Sequence, residues 1–163
     1  MRLVRCVEVK APLEEVWDYI ADPGNYLDFV VGMTRWEVVG KKRNGLGARY
    51  KMLVRLGAAD VGGQIEIVEW NPPTDMALNS VTGADQRMRW RLRPGSPGMT
   101  KVELRWAYGV AGAGIGGLIA ERLAAPQLRR DLKASLTMLK RAVEEQRFQR
   151  EHSGGGGTAT ATR

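Results

Sequence analysis

Apolar and polar residues alternate through the middle of the chain, from Met33 to Tyr108, in six successive runs. The clearest run, residues 87–92, alternates arginine with large apolar side chains at every position. A period of two residues predicts a β-strand with one solvated face and one buried face. The pattern therefore predicts a long antiparallel sheet whose buried face carries tryptophan, tyrosine and methionine.

Turn-forming residues separate these runs, among them Asn44-Gly45, Asn71-Pro72-Pro73 and Pro94-Gly95. Such residues favour the tight turns that join antiparallel strands. An alternating run near the N-terminus predicts one further strand, ahead of the other six. The predicted strands are residues 2–10 and about 34–40, 47–56, 61–70, 76–82, 86–93 and 100–109.

Apolar residues recur at helical spacing from Leu13 to Ile20, directly after the first predicted strand. This spacing predicts an amphipathic helix, and Asp22-Pro23-Gly24 is expected to end it. A short second helix or turn is expected next, with Tyr26 and Phe29 among its apolar residues.

A long helix is predicted near the end of the chain, from about Ile115 to about Gln149, with a stripe of leucines in its second half. Pro126 is expected to kink this helix or to break it in two. The glycine-, threonine- and alanine-rich residues 151–163 are predicted to form a disordered tail. Residues 1–150 are then predicted to form one domain.

Composition narrows the class of protein. No apolar run in the 163 residues approaches the ~20 residues of a membrane-spanning helix, and the N-terminus lacks the apolar core of a signal peptide. The single cysteine, Cys6, favours a reducing, cytoplasmic setting. The net charge of +7 makes nucleic acid or the ribosome a possible partner. It is a lesser candidate, because acidic residues are interleaved with the basic ones. The oligomeric state stays open.

Several kinds of catalytic and metal site conflict with the sequence. The only histidine, His152, lies at the edge of the predicted tail, which argues against histidine acid–base chemistry and histidine metal ligands in the interior. One cysteine cannot supply a zinc ligand set. Residues 112–117 match G-x-G-x-x-G, but no strand follows them, so a hinge is expected rather than a dinucleotide site. We predict no metal and no cofactor.

Short motifs occur in a fixed order from residue 2 to about residue 148. They are Ala11-Pro12, Val16-Trp17, Asp22, Tyr26, Gly47-Ala48-Arg49, Glu69, Pro72-Pro73, Gly98-Met99-Thr100, Gly116-Gly117-Leu118, Leu139-Lys140 and Glu144. In this order and spacing the chain resembles the START-like (SRPBCC) superfamily and, within it, the polyketide cyclase/dehydrase family. The resemblance implies an α+β helix-grip fold. In that fold a curved antiparallel sheet of about seven strands wraps around a long C-terminal helix, with two short helices after the first strand. It also implies a cavity for lipids, polyketides, quinones or similar molecules.

The candidate ligand-binding residues are mostly large side chains on the inward faces of the predicted strands. The tyrosines among them would orient a ligand by hydrogen bonds, and Arg122 would bind a ligand carboxylate or carbonyl if it projects into the cavity. The alternatives are that the apolar residues fill the core and that Arg122 is solvated. The candidates are Phe29, Tyr50, Met52, Met76, Leu78, Met88, Trp90, Trp106, Tyr108, Leu118 and Arg122. No catalytic residue is assigned.

The apolar run around Phe29, from there to Met33, has two interpretations, a lid over the cavity entrance or an anchor that holds the loop to the core. The functional hypotheses are also open. A carrier or sensor of a hydrophobic small molecule is favoured. A polyketide cyclase or dehydrase, with Tyr50, Tyr108 or Arg122 polarising a carbonyl, is the first alternative. An interaction protein acting with ribosomes or quinones is the second.

Overall fold

The computed structural model describes residues 1–109 and 114–153, and in the last helix it describes side chains from Ala124 onward. Seven strands and three α-helices follow one another in the predicted order. They are β1 (Arg2–Val9), α1 (Leu13–Ala21), a 3₁₀ turn (Pro23–Asn25), α2 (Tyr26–Phe29), β2 (Met33–Val39), β3 (Arg49–Leu56), β4 (Ala59–Asn71), β5 (Asp75–Gly83), β6 (Asp85–Pro94), β7 (Thr100–Gly109) and α3 (Gly114–Ser153).

The seven strands form one antiparallel sheet in the order β1-β7-β6-β5-β4-β3-β2. Alternation places the apolar residues of each strand on the inner face, as on β6, where Met88, Trp90 and Leu92 are buried. The predicted fold class is confirmed: the sheet curls into a half-barrel around α3, with the short helices after β1.

Local irregularities produce the curl of the sheet. The ladders of β2 and β4 shift register at bulges, and a bulge bends its strand and increases its twist. The middle of β4 also approaches its neighbours closely. A Cβ atom at Gly62 would lie 2.0 Å from the backbone oxygen of Met52, and one at Gly63 would lie 2.0 Å from that of Thr82. Only glycine fits at these two positions, which lets the main chain of β4 lie this close to β3 and β5.

Helix α3 packs its predicted apolar stripe against the inner face of the sheet. Leu132, Leu136 and Leu139 are almost completely buried on this stripe. The helix runs through Pro126 without interruption, so of the two expectations there, a kink or a break, the break is wrong. Packing of the leucines beyond the proline offsets the hydrogen bond that proline cannot donate. The helix also continues to Ser153, three residues into the predicted tail, and the rest of that tail lies outside the described residues.

The predicted glycine hinge, residues 112–117, falls partly outside the described residues. Its first two positions are not described, and from Gly114 onward the backbone belongs to α3. A dinucleotide site of the βαβ type also requires a parallel strand after the helix. In the described residues every strand pair is antiparallel and α3 is the last element.

Candidate functional site

The predicted ligand-binding residues whose side chains are described fall into two groups, on the inner face of the sheet and on α2. The first group lies beneath α1 and α2 and is tightly packed. Tyr26, Trp36 and Tyr50 stack in series, with ring centroids 4.1 Å and 4.8 Å apart. Phe29 packs edge-on against Trp90 at 6.0 Å. The candidates that lie buried outside the cavity described below are Phe29, Tyr50, Met52, Met76, Leu78, Met88 and Trp90.

The hydroxyl of Tyr50 has a structural partner. It donates a hydrogen bond of 2.7 Å to the backbone oxygen of Arg43, in the loop between β2 and β3. Burial raises the pKa of Tyr50 to about 12, so the hydroxyl stays protonated at neutral pH. Its proton is therefore used to hold the loop, which leaves Tyr50 poorly suited to polarising a ligand carbonyl.

The apolar run after α2 is anchored to α3. Phe29, Val30 and Met33 are buried in the core. The backbone N–H of Val31 donates to Ser135 Oγ at 2.8 Å, and the Ser135 hydroxyl donates to the backbone oxygen of the preceding helical turn at 2.6 Å. These contacts match the anchoring interpretation of the run rather than the lid.

The second group lines a cavity at the other end of the inner face. Here β1, β6 and β7 face β3 and β4 across the curl of the sheet, and α3 covers the gap. Trp106 and Tyr108 are the two predicted site residues in its wall. The cavity is lined by Leu3, Val54, Leu56, Val61, Gln86, Trp106, Tyr108 and Leu128.

The cavity is narrow in this conformation. Its lining side chains leave about 310 Å³ of non-atom space, including the part open to solvent at the mouth. Only about 10 Å³ of this space admits the centre of a water molecule, which is room for roughly one water. A larger ligand therefore requires a rearrangement of the cavity lining.

Two buried polar atoms in this wall have no hydrogen-bond partner among the described residues. They are Oε1 of Gln86, whose residue is 3% exposed, and Nε1 of Trp106, whose residue is 8% exposed. Buried polar groups are normally paired, because an unpaired group loses its hydration without compensation. The other side-chain atoms in this state belong to Trp36, Trp90 and Arg91, which do not line the cavity.

Strand register places these two groups together. Gln86 lies opposite Tyr108, and Trp106 lies opposite Met88, so Gln86 and Trp106 are diagonal neighbours on the inner face. Such neighbours are about 7–8 Å apart, within reach of long side chains. The start of β6 is also held in place, because the backbone N–H of Gln86 donates to Ser80 Oγ at 3.1 Å.

Sequence reasoning missed Gln86, although a signal was present. Gln86 lies two and four residues before Met88 and Trp90, so its side chain is expected on the same inward face of the strand. A polar residue is unusual on a face that is otherwise apolar. The apolar lining residues missed with it carried no signal that separates a cavity wall from a core; they are Leu3, Val54, Leu56, Val61 and Leu128. The side chains of the candidates Leu118 and Arg122 lie outside the described residues.

The outer face of the sheet carries ion pairs. Arg49 and Glu66 pair across β3 and β4 at 2.6 Å, and the two terminal guanidinium nitrogens of Arg89 donate to the Glu69 carboxylate. Such exposed pairs contribute little each, but they balance part of the positive charge.

Among the described residues, no cluster of three metal-binding side chains is present. No helix in the described part of the chain is long and apolar enough to cross a membrane.

Solved structures share this architecture at low sequence identity. The protein TTHA0849 from Thermus thermophilus is 20% identical, with 88% of this chain and 97% of that chain covered and a TM-score of 0.74. The Zhui aromatase/cyclase from Streptomyces sp. R1128 is 20% identical, with 96% and 99% covered and a TM-score of 0.65. A START superfamily protein from Mycobacterium smegmatis is 15% identical, with 88% and 97% covered and a TM-score of 0.67. These similarities show a shared fold.

Family membership comes from the sequence. A search of curated proteins gave no match. The sequence profile of the family described as "Polyketide cyclase / dehydrase and lipid transport" matches residues 2–144, nearly the whole chain. With the helix-grip fold in place, the resemblance seen in the motifs is confirmed. The chain belongs to the polyketide cyclase/dehydrase and lipid transport family.

Proposed function

We propose that this protein binds a hydrophobic small molecule, such as a lipid, a polyketide or a quinone-like compound, as a carrier or sensor. The observation that carries the proposal is the apolar cavity between the sheet and α3, lined by Trp106, Tyr108 and Leu128. The family supports it, because its description includes lipid transport. A reducing cytoplasmic location, favoured by the single cysteine, is part of the proposal.

Apolar burial alone would provide enough affinity for a carrier. Removing about 300 Å² of ligand surface from water at about 25 cal/mol per Å² contributes roughly 7 kcal/mol, before the losses of association are subtracted. Part of this binding free energy is offset by the cost of moving the lining side chains of Leu56 and Leu128 out of the ligand's way. Leu56 ends β3 and Leu128 lies on α3, so both can change rotamer without breaking the ladder of the sheet.

A cyclase or dehydrase activity is the alternative function. One of the structures with the same fold is an aromatase/cyclase, and Tyr108 places a phenol group in the cavity wall. Of the residues predicted to polarise a carbonyl, Tyr50 is engaged with the backbone of Arg43. Fold alone does not decide between binding and catalysis. An electrostatic partner such as RNA or the ribosome is a lesser alternative, and its binding would weaken steeply with salt.

Filling the cavity tests the proposal. Leu128→Trp adds an indole at the cavity wall, so it should abolish binding of N-phenyl-1-naphthylamine, a neutral fluorescent probe. Met138→Trp makes a comparable change on the exposed side of α3 and should leave binding intact. Circular dichroism and thermal melting of both variants check that the fold survives the overpacking, which costs about 1–3 kcal/mol.

Two results would contradict the proposal. One is probe binding to a folded Leu128→Trp variant as tight as to the wild type, since the ligand would then lie elsewhere. The other is the absence of any probe binding to the wild type, together with native mass spectra from the original host that show no retained apolar molecule.

A further inference from the structure

The cavity wall contains two buried polar groups that a guest molecule with a donor and an acceptor would satisfy. Gln86 Oε1 can accept a hydrogen bond, Trp106 Nε1 can donate one, and neither has a partner among the described residues. Both residues are more than nine-tenths buried, and both line the same cavity. The remaining described lining residues are aliphatic, apart from Tyr108.

We propose that the ligand is a neutral hydrophobic molecule with a hydroxyl group, an alcohol or a phenol, at the end that enters the cavity between Gln86 and Trp106. This inference rests on the proposed function and adds the chemical class of the ligand. A hydroxyl is the smallest group that both donates and accepts a hydrogen bond. It can donate to the amide oxygen of Gln86 and accept from the indole N–H of Trp106.

Other ligand ends match this pair less well. A hydrocarbon leaves both groups unsatisfied. An ether oxygen can accept from Trp106 but cannot donate to Gln86. A carboxylate would meet the amide oxygen of Gln86, another acceptor, in a wall whose described side chains carry no positive charge. Burying an anion without a partner is strongly unfavourable.

The backbone around Gln86 is ordered for this role. The Ser80 hydroxyl accepts from the Gln86 backbone N–H at 3.1 Å and donates to Asp85 Oδ1 at 3.4 Å. These bonds hold the first residues of β6 beside β5. The amide side chain therefore starts from a fixed point and extends toward the inner face, where Trp106 is its diagonal neighbour.

A matched set of ligands tests the inference: naphthalene, 2-naphthol, 2-methoxynaphthalene and 2-naphthoate, with binding measured by quenching of tryptophan fluorescence and by calorimetry. The wild type should bind 2-naphthol about tenfold more tightly than naphthalene or 2-methoxynaphthalene, the effect of one well-made buried hydrogen bond. In Gln86→Leu this ratio should fall to near one while naphthalene still binds. Trp106→Phe should lose part of the ratio, and Gln146→Leu, an exposed change on α3, should keep all of it.

The possible results separate the two proposals. If none of the four compounds binds the wild type, the proposed function fails and the inference falls with it. If naphthalene binds but 2-naphthol binds no more tightly, or Gln86→Leu keeps the preference, the inference is overturned and the cavity function stands. Tightest binding of 2-naphthoate would overturn it in favour of an anionic ligand.

Discussion

Replacing Gln86 by leucine should stabilise the ligand-free protein. The residue is 3% exposed and its amide oxygen has no partner among the described residues, so folding removes that oxygen from water without replacing its hydrogen bond. An unsatisfied buried polar group costs about 1–3 kcal/mol. Leucine is similar in size and would face the aliphatic side chains of Leu3 and Val54.

We expect the free energy of unfolding to rise by about 2 kcal/mol in Gln86→Leu. For a protein of this size, that gain raises Tm by roughly 4–8 °C. The assay is urea unfolding of protein refolded from denaturant, so that no bound molecule from the host contributes. An unchanged m-value would show that the variant changes stability rather than the extent of unfolding.

Gln146→Leu is the matched control, because it makes the same substitution on the exposed face of α3. It should change the free energy of unfolding by less than about 0.5 kcal/mol. Equal or lower stability of Gln86→Leu would refute the reasoning, since it would mean that the amide is already satisfied in the free protein. A gain in stability with a loss of naphthol selectivity would indicate a residue kept for ligand recognition at the expense of stability.

Two further predictions concern groups outside the cavity. Tyr50→Phe removes the hydrogen bond to Arg43 and should lower the free energy of unfolding by about 1 kcal/mol in urea, while binding of a naphthalene probe stays unchanged. Glu144 on α3 should make the free energy of unfolding depend on pH in the acidic range. Burial raises its pKa, but hydrogen bonds from Lys140 and from the Lys10 backbone lower it more, so the folded pKa lies below the ordinary 4.5. Its stabilising contribution is therefore present above pH 4.5 and is lost as the pH falls through the folded pKa. In Glu144→Gln, urea unfolding between about pH 5 and 3 should show a shallower fall in stability, and an unchanged slope would argue against this role.

The fold could be predicted from the sequence because its signals are local. The alternation around Trp90 specifies a strand with one buried face, whatever that face later contacts. The leucine stripe of α3 gives a helix with one apolar side in the same way. Pro126 does not break α3, because the packing of the leucines beyond it outweighs the cost of one missing hydrogen bond, and that packing is not visible in the local sequence.

The candidate site depends on contacts between distant strands, which alternation does not reveal. Tyr50 and Trp106 both occupy inward-facing positions of their strands, yet Tyr50 stacks on Trp36 while Trp106 lines the cavity. The difference arises from which strands the curled sheet brings face to face, and that depends on register shifts and bends. Gln86 can be identified from its own strand, since the alternation along β6 places this polar residue on the apolar, inward face.

The paired glycines of β4 fix the path of this strand beside the cavity. Val61 lines the cavity immediately before Gly62 and Gly63, where the strand lies too close to its neighbours for any Cβ atom. The lateral spacing of β4 from β3 and β5 is thus set by main chain rather than by side chains. A side chain at either position would push the strand away from its neighbours and so displace Val61 in the cavity wall. Changing the ligand specificity of this protein should therefore begin on β1, β6 and β7, where side chains can be exchanged without moving the strands of the half-barrel.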